Sequence, residues 1–330
     1  MRAFDYLRAC DLSEARRRGG EPDARLLAGG TTLLDLMKCG VERPSTLVDI
    51  GRLDGLDGIE VANDAVRIGG LARMSRVADH PGIREAAPAL SESLWQAASP
   101  QIRNMATVAG NVLQRTRCTY FRDVGGNARC NKRSPGSGCA AIEGIHRNHA
   151  ILGTSDACIA TYPGDLAVAL VAFDASLRIE GPRPRSVRVE DFIRLPGDRP
   201  DLENDLAPAE VVVSVEIPVT PALRRSRYLK VRDRASYEFA AASAAVGLDL
   251  EPDGRTIRDA RVALGGVATR PWRARNVEAA LRGRTFDEAT VRRAAALAVE
   301  GAQPLRHNAY KAVLAPRVVA RALIEAETRA

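Results

Sequence analysis

The chain has 330 residues, of which 45% are hydrophobic, 27% are charged and only 4% are aromatic, and its formal net charge is +7. A chain of this length can bury a large core and is expected to divide into more than one lobe. No apolar run is long enough to span a bilayer, and the scattered basic residues lack the interleaved aromatic side chains that stack on bases. We therefore predict no membrane span and no nucleic-acid partner.

A first glycine turn follows a short apolar strand near the N-terminus. A helix is predicted from about Ser13, and a strand at residues 25–28 then runs into residues 29–32, Gly-Gly-Thr-Thr, before a second helix. Glycines at a strand-to-helix junction let backbone amides approach an anion closely. The segment is neither the dinucleotide fingerprint nor a Walker loop, so it indicates either a phosphate contact or an ordinary turn.

A second glycine turn follows a predicted hairpin and a helical region. Strands are predicted at residues 47–50, 59–61 and 65–70, and helices within residues 75–105. Residues 107–112, Thr-Val-Ala-Gly-Asn-Val, are predicted to be strand-like and to end in a turn. Two such backbone loops can hold the two phosphates of a large dinucleotide, with Thr31 and Asn111 as polar anchors.

The middle of the chain contains a long polar loop at residues 116–150. Long loops without secondary structure are uncommon in compact proteins and are usually functional. Regular structure then resumes with Asp165, which is predicted to cap an apolar helix at residues 166–173. Strands are predicted at residues 175–180, 186–189 and 210–217.

Pro218 and Pro221 mark a joint, beyond which the pattern changes. Strands are predicted at residues 226–231, 241–250 and 257–264, followed by helices at residues 276–281, 287–299 and 308–328. Helices that follow a group of strands favour an antiparallel sheet covered on one face.

Four of the six cysteines fall close together, with gaps of 11, 8 and 18 residues between them: Cys118, Cys130, Cys139 and Cys158. Basic residues surround them, and such neighbours offset the negative charge of a cluster held by four thiolates. The leading prediction is an iron–sulfur cluster. A zinc site completed by His146 or His149, disulfides and unligated thiols remain open, although no Cys-x-x-Cys pair is present.

Several segments together resemble the FAD-binding medium subunit of the xanthine dehydrogenase family, essentially from end to end. They are residues 28–33, residues 107–111, Asp165 after Pro163, Asp191 with Phe192, residues 230–232 and residues 237–240. We call the segment that carries the four cysteines, at about residues 116–158, the cysteine segment. Within that family, it is similar to the corresponding segment of the bacterial aldehyde oxidoreductases whose flavin subunit carries an additional 4Fe-4S cluster.

The resemblance implies an α+β fold. Residues 1–220 would form a two-lobed FAD-binding domain of the vanillyl-alcohol oxidase (PCMH) type, with an iron–sulfur loop inserted at about 116–158. Residues 221–330 would form a C-terminal α+β lobe with an antiparallel sheet. The implied function is electron transfer through FAD to an external acceptor. The implied partners are a large molybdopterin-binding subunit, which oxidises the substrate, and a small subunit with two 2Fe-2S clusters.

The resemblance also implies which residues contact the cofactors, and it assigns no catalytic acid or base to this chain. The pyrophosphate would be held by Leu27, Ala28, Gly29, Gly30, Thr31, Thr32, Leu33 and Leu34, together with Thr107, Ala109, Gly110 and Asn111. The adenosine side would be lined by Ile159, Ala160, Thr161 and Asp165. Lys230 would lie near the isoalloxazine, and the four cysteines named above would ligate the 4Fe-4S cluster.

Other functions stay open on sequence alone. The chain could serve a xanthine or other heterocycle dehydrogenase, act as a stand-alone flavin-dependent oxidase, or be a zinc-stapled scaffold without flavin. No motif identifies the electron acceptor. The absence of a recognisable signal predicts a cytoplasmic location, with export alongside a signal-bearing partner subunit as the alternative.

Overall fold

In the computed structural model, which describes residues 1–328, the chain begins with a small parallel sheet. Its elements are β1 (Asp5–Arg8), α1 (Leu12–Gly19), β2 (Ala24–Leu27), α2 (Leu33–Lys38) and β3 (Thr46–Asp49), with strand order β1-β3-β2. The Asp11 carboxylate accepts the Glu14 N–H at 2.7 Å and so caps α1 near its predicted start. The sequence did not predict β1, because all four of its residues are exposed and show no apolar alternation.

A five-stranded antiparallel sheet forms the second lobe. Its strands are β4 (Ile59–Val61), β5 (Ala65–Gly69), β6 (Ser176–Glu180), β7 (Arg185–Arg188) and β8 (Val211–Pro218), in the order β4-β5-β8-β6-β7. The helices of this part of the chain are α3 (Met74–Asp79), α4 (Pro81–Ala86), α5 (Pro88–Trp95), α6 (Pro100–Met105), α7 (Val108–Val112), α8 (Thr119–Arg122), α9 (Ala140–Glu143), α10 (Leu166–Ala172) and α11 (Val189–Phe192). Helix α10 is buried along its whole length, and all of its residues belong to the larger core.

The C-terminal lobe contains a four-stranded antiparallel sheet, as predicted. Its elements are α12 (Pro221–Arg224), β9 (Ser226–Val231), β10 (Ala242–Leu250), β11 (Ile257–Gly265), β12 (Trp272–Arg273), α13 (Arg275–Leu281), α14 (Glu288–Ala295), a 3-10 turn (Ala296–Val299) and α15 (Tyr310–Glu327). Strand order is β12-β11-β10-β9. Helix α15 packs on one face, whereas Ala245 and Ala263 on the other face belong to the core of the first domain. The sheet is therefore covered on both faces, not on one.

The prediction of a strand-like segment at residues 107–112 is wrong. Only Thr107 is extended, and α7 starts at the next residue. The Thr107 hydroxyl accepts the Gly110 N–H at 3.3 Å, which satisfies a donor of the first helical turn. A run of small and β-branched residues suggested a strand, but this cap decides the local structure.

The cysteine segment is largely irregular, and it is fixed to the C-terminal lobe by hydrogen bonds. The Ile151 N–H donates to the Val267 carbonyl at 2.8 Å, and the Gln303 N–H donates to the Ile151 carbonyl at 2.7 Å. Buried backbone groups need such partners when no helix or strand supplies them. None of the helices in residues 1–328 combines the length and the apolar character that a bilayer span requires.

Candidate functional site

A cleft of about 850 Å³ opens where the two glycine turns, the cysteine segment and the C-terminal sheet meet. This volume lies within the range of small-molecule and cofactor sites. The predicted cofactor-binding residues that line the cleft are Thr31, Thr32, Gly110, Asn111, Thr161 and Asp165. Those that do not line it are Leu27, Ala28, Gly29, Gly30, Leu33, Leu34, Thr107, Ala109, Ile159, Ala160 and Lys230.

The first glycine turn lies directly against the end of α6. A Cβ atom on Gly29 would come within 2.1 Å of the Met105 carbonyl oxygen, so only glycine permits this approach. Gly30 has a φ of +71°, which also favours glycine. Because Met105 lies two residues before Thr107, where the second turn begins, this contact brings the two glycine turns together at one wall of the cleft.

The second turn presents a polar side chain with an unused acceptor. The Asn111 amide nitrogen lies 3.5 Å from the Met74 sulfur. The Asn111 amide oxygen is buried and has no hydrogen-bond partner in the described protein. Buried polar atoms nearly always have a hydrogen-bond partner. We therefore expect a ligand or a water molecule to donate a hydrogen bond to this oxygen.

Asp165 stands at the N-cap position of α10, as predicted, but its side chain makes no capping hydrogen bond and forms a buried ion pair instead. One carboxylate oxygen lies 2.9 Å from the Lys230 Nζ, and the other accepts the Tyr228 hydroxyl at 2.6 Å. The Lys230 side chain is 1% exposed and also donates to the Gln96 carbonyl at 3.1 Å. Burial and the Asp165 charge raise the pKa of Tyr228, so the phenol stays neutral. Lys230 therefore does not line the cleft itself, but it contacts Asp165, which does.

Part of the cleft wall was not predicted from the sequence. These residues are Arg117, Tyr120, Ile145, Arg147, His149, Tyr237 and Phe239. The Arg117 guanidinium lies 5.2 Å from the centre of the Phe239 ring and forms an ion pair with Asp35 at 2.8 Å. An exposed Tyr and Phe close together in a chain poor in aromatic residues was the available signal.

Cys118, Cys130, Cys139 and Cys158, the predicted ligands of the cluster, line one small cavity beside this cleft. Its other walls are largely apolar, and Lys132 also reaches it. The backbones of Cys130 and Cys139 pair in an isolated antiparallel β-bridge. No disulfide is formed within residues 1–328, and all six cysteines of the chain are free thiols.

The segment around the cavity is braced by Arg133. Its guanidinium donates to the Tyr120 and Phe121 carbonyls, each at 2.9 Å, and to the Asn127 carbonyl. These carbonyls belong to or follow α8, so one side chain ties the segment of Cys118 to the segment of Cys130. The loop is thus shaped by a side chain where a helix or strand is lacking.

The electrostatics of the cavity oppose bare thiolates. Burial raises the pKa of Cys118 to about 12 and that of Cys158 to about 11, although Lys132 acts in the opposite direction on Cys158. Within residues 1–328, no group of three or more His, Cys, Asp or Glu side chains is placed to hold a metal ion. Tetrahedral zinc needs sulfurs about 2.3 Å from one ion, and the described side chains are not preassembled around a single ion in this way.

The comparisons with known families cover nearly the whole chain. Residues 2–220 match the family described as "FAD binding domain in molybdopterin dehydrogenase". Residues 227–326 match the family described as "CO dehydrogenase flavoprotein C-terminal domain".

Individual relatives agree with these matches. The chain is 45% identical to the aldehyde oxidoreductase FAD-binding subunit PaoB of Escherichia coli K12, over 100% of both chains. It is 26% identical to the glyceraldehyde dehydrogenase medium chain of Sulfolobus acidocaldarius, over 88% of this chain and 84% of that one.

Among solved structures, carbon monoxide dehydrogenase from Hydrogenophaga pseudoflava matches with a TM-score of 0.76 and 27% identity, covering 99% of this chain and 98% of that one. Quinoline 2-oxidoreductase from Pseudomonas putida 86 matches with a TM-score of 0.76 and 25% identity, covering 99% and 97%. The α+β fold with its antiparallel C-terminal sheet is therefore shared with these proteins.

Proposed function

This chain belongs to the family of FAD-binding medium subunits of molybdenum hydroxylases, and on that premise we propose that it binds FAD in the large cleft and conducts electrons to an external acceptor. The chain is thus an oxidoreductase subunit. Bound FAD accepts and releases reducing equivalents, and the protein's task is to bind, orient and tune it. Oxidation of the organic substrate would take place in a partner subunit.

The observation that carries the proposal is the pairing of the two glycine turns at the cleft. Gly29 permits the close approach of the turns, and a Cβ on Gly110 would lie 2.9 Å from the Thr107 hydroxyl. Thr31, Thr32 and the unsatisfied Asn111 oxygen offer polar contacts to a phosphate-bearing ligand. Asp165, held by Lys230 and Tyr228, supplies a fixed carboxylate as a further acceptor.

FAD content and reduction test this proposal. The chain is co-expressed with its partner subunits, the complex is purified, and the flavin released by denaturation is quantified. One FAD per chain is expected, with visible flavin absorption that bleaches when an aldehyde is added without oxygen. A colourless preparation without flavin would contradict the assignment.

We further propose that the four cysteines hold a 4Fe-4S cluster. A Cys₄ set suits this cofactor, and its thiols line one common cavity. Lys132 adds a positive charge next to the site, and its Nζ pairs with Glu203 at 3.1 Å. Ligation by iron would hold the thiols as thiolates despite their burial.

The cluster is tested by removing one ligand. In Cys139→Ser the purified complex is expected to lose the iron and acid-labile sulfide of one cluster, while its FAD content is retained. Cys10→Ser is the matched control, because Cys10 is exposed and lies outside the cavity. An unchanged iron content in Cys139→Ser would remove this residue from the ligand set.

The descriptions of the relatives support a multi-subunit complex and suggest a substrate class. We propose a complex with a large molybdopterin-binding subunit and a small subunit with two 2Fe-2S clusters, and aldehydes as the substrate class. The name of the relative with 45% identity favours aldehydes over purines and other heterocycles.

The proposed domains are residues 1–220 and 221–330, supported by the family matches and by the end of β8 at Pro218.

A further inference from the structure

The large cleft and the cysteine cavity are separated by a single shared wall. Cys118 and Tyr120 are the two residues that line both spaces. The other three cysteines line the cysteine cavity but not the cleft. Cys118 is therefore the thiol at which the two proposed cofactor sites come nearest to each other.

His149 stands on the cleft side of this wall and contacts the shared cysteine. Its Nε2 atom lies 3.1 Å from the Cys118 sulfur, and its ring lies 6.1 Å from the Tyr120 ring, between centres. His149 lines the cleft but not the cysteine cavity, and it is 5% exposed. Its second ring nitrogen, Nδ1, is buried and has no partner within residues 1–328.

The backbone at His149 is fixed by the C-terminal lobe. The buried Asn308 amide donates to the His149 and Ala150 carbonyls, at 3.4 and 3.0 Å. The Ala150 N–H in turn donates to the Ile159 carbonyl at 3.0 Å. Backbone carbonyl and N–H groups at residues 149–150 are therefore both hydrogen-bonded, and this fixes the position from which the imidazole contacts Cys118.

His146 shows that this arrangement is particular to His149. It lies three residues earlier and is also buried, and its ring lies 4.4 Å from the His307 ring, between centres. Both of its ring nitrogens contact backbone groups: Nδ1 lies 3.3 Å from the Ala141 carbonyl oxygen, and Nε2 accepts the His307 N–H at 3.1 Å. His146 lines neither the cleft nor the cysteine cavity. It has no nitrogen left for a cofactor.

We propose that His149 is a positioning residue that joins the two cofactor sites, with Nε2 hydrogen-bonded to the Cys118 sulfur and Nδ1 hydrogen-bonded to the molecule in the cleft. This inference rests on the function proposed above. A ligating thiolate accepts hydrogen bonds, so Nε2 carries the proton and the neutral ring leaves Nδ1 as an acceptor. The molecule in the cleft then supplies an O–H or N–H donor, and FAD has both.

Each half of this arrangement has its own consequence. A hydrogen bond to a cluster sulfur stabilises the more negative, reduced state and raises the reduction potential of the cluster. The Nδ1 contact acts on the flavin instead. His149 thereby influences both centres without ligating either one.

Two amide substitutions separate the two halves. The amide of Gln reaches the place of Nε2, whereas the shorter amide of Asn reaches the place of Nδ1. In the purified complex, His149→Asn is expected to lower the potential of the 4Fe-4S centre. The expected size is a tenfold change in the ratio of reduced to oxidised cluster at fixed potential, or about 59 mV for one electron. His149→Gln should keep that potential and instead shift the potential and visible absorption of the flavin.

Potentials are measured by redox titration followed by electron paramagnetic resonance and absorption, and His146→Gln is the control that should change neither centre. An unchanged cluster potential in an iron-replete His149→Asn complex would overturn the Nε2 assignment, and an unchanged flavin in His149→Gln would overturn the Nδ1 assignment. If His149→Asn loses its iron, the cluster potential of His149→Gln decides: the wild-type value supports the proposal and a lowered value overturns it. Absence of iron or FAD from the wild-type complex would instead defeat the proposed function.

Discussion

The cleft wall at the glycine turns and the cysteine cavity show two ways of building a site. The cleft wall is made where regular elements end, at the junction of β2 with α2 and of α6 with α7, and a close backbone approach shapes it. The cysteine cavity lies in an irregular segment that Arg133 and the C-terminal lobe hold in place. The cleft wall depends on glycine positions where a larger side chain would clash with backbone. The cysteine cavity depends on side chains, such as that of Arg133, whose hydrogen bonds hold the segment in place.

The buried ion pair on the cleft side gives the largest expected effect. Asp165→Ala would leave the Lys230 ammonium buried without its carboxylate, and breaking such a pair costs about 3–5 kcal/mol. Urea unfolding measures this loss. The double variant Asp165→Asn with Lys230→Met should recover much of the stability, because no buried charge remains. An unaltered midpoint in Asp165→Ala would show that the pair adds nothing to the cleft wall.

A matched pair of glycine substitutions contrasts the two regions directly. Gly29→Ala places a methyl group against the Met105 carbonyl and should cost about 3 kcal/mol, with weaker FAD retention. Gly125→Ala, in the cysteine segment, has no atom within 4 Å of the added Cβ and should behave like the wild type. Thermal unfolding midpoints compare the two. Equal midpoints for Gly29→Ala and Gly125→Ala would contradict the claim that position 29 excludes a side chain and position 125 tolerates one.

Arg133 tests the cysteine segment by the same reasoning. Arg133→Ala removes a charged donor from the Tyr120 and Phe121 carbonyls, and hydrogen bonds to charged groups are worth about 1.5–3 kcal/mol. The variant should be less stable by about 2 kcal/mol and should lose iron faster to a chelator. Arg292→Ala is the control, because Arg292 forms an exposed pair with Glu288 outside the cysteine cavity and should matter little. Equal rates of iron loss in both variants would argue against the bracing role.

Asn111 gives the smallest effect and concerns the ligand alone. Asn111→Ala removes the buried oxygen that lacks a protein partner, so protein stability should change little. FAD binding should weaken about tenfold, or about 1.4 kcal/mol, for one lost hydrogen bond. Equilibrium titration of the flavin-free protein measures this. Undiminished affinity would mean that the oxygen is satisfied by water rather than by the cofactor.

Local sequence patterns predicted most of the regular structure. Strand β9 alternates between buried and partly exposed residues, which is the pattern that sequence reasoning detects, and its predicted bounds agree with the structure. Strand β1 escaped detection because every residue in it is exposed. The cap by Thr107 was missed because an apolar run with a glycine fits a strand as well as a short helix.

The candidate site was less predictable, because its decisive contacts are distant in sequence. Asp165 has the sequence position of a helix cap, but its partner Lys230 is 65 residues away. Likewise, the cysteines were predicted to be a ligand set from their spacing, but the contact between Cys118 and His149 depends on the folding of the whole segment. Residue types and spacing suggested candidate ligands, and only the tertiary structure brings the cleft and the cysteine cavity to one wall.

The central claim is that this chain holds a flavin in the cleft and an iron–sulfur cluster beside it. Its most direct test is the simultaneous quantification of FAD, iron and acid-labile sulfide in the complex purified with its partner subunits. The account predicts one FAD per chain, together with the iron and sulfide of one 4Fe-4S cluster beyond those of the small subunit. A complex with no flavin, or with no iron beyond that of the small subunit, would contradict it.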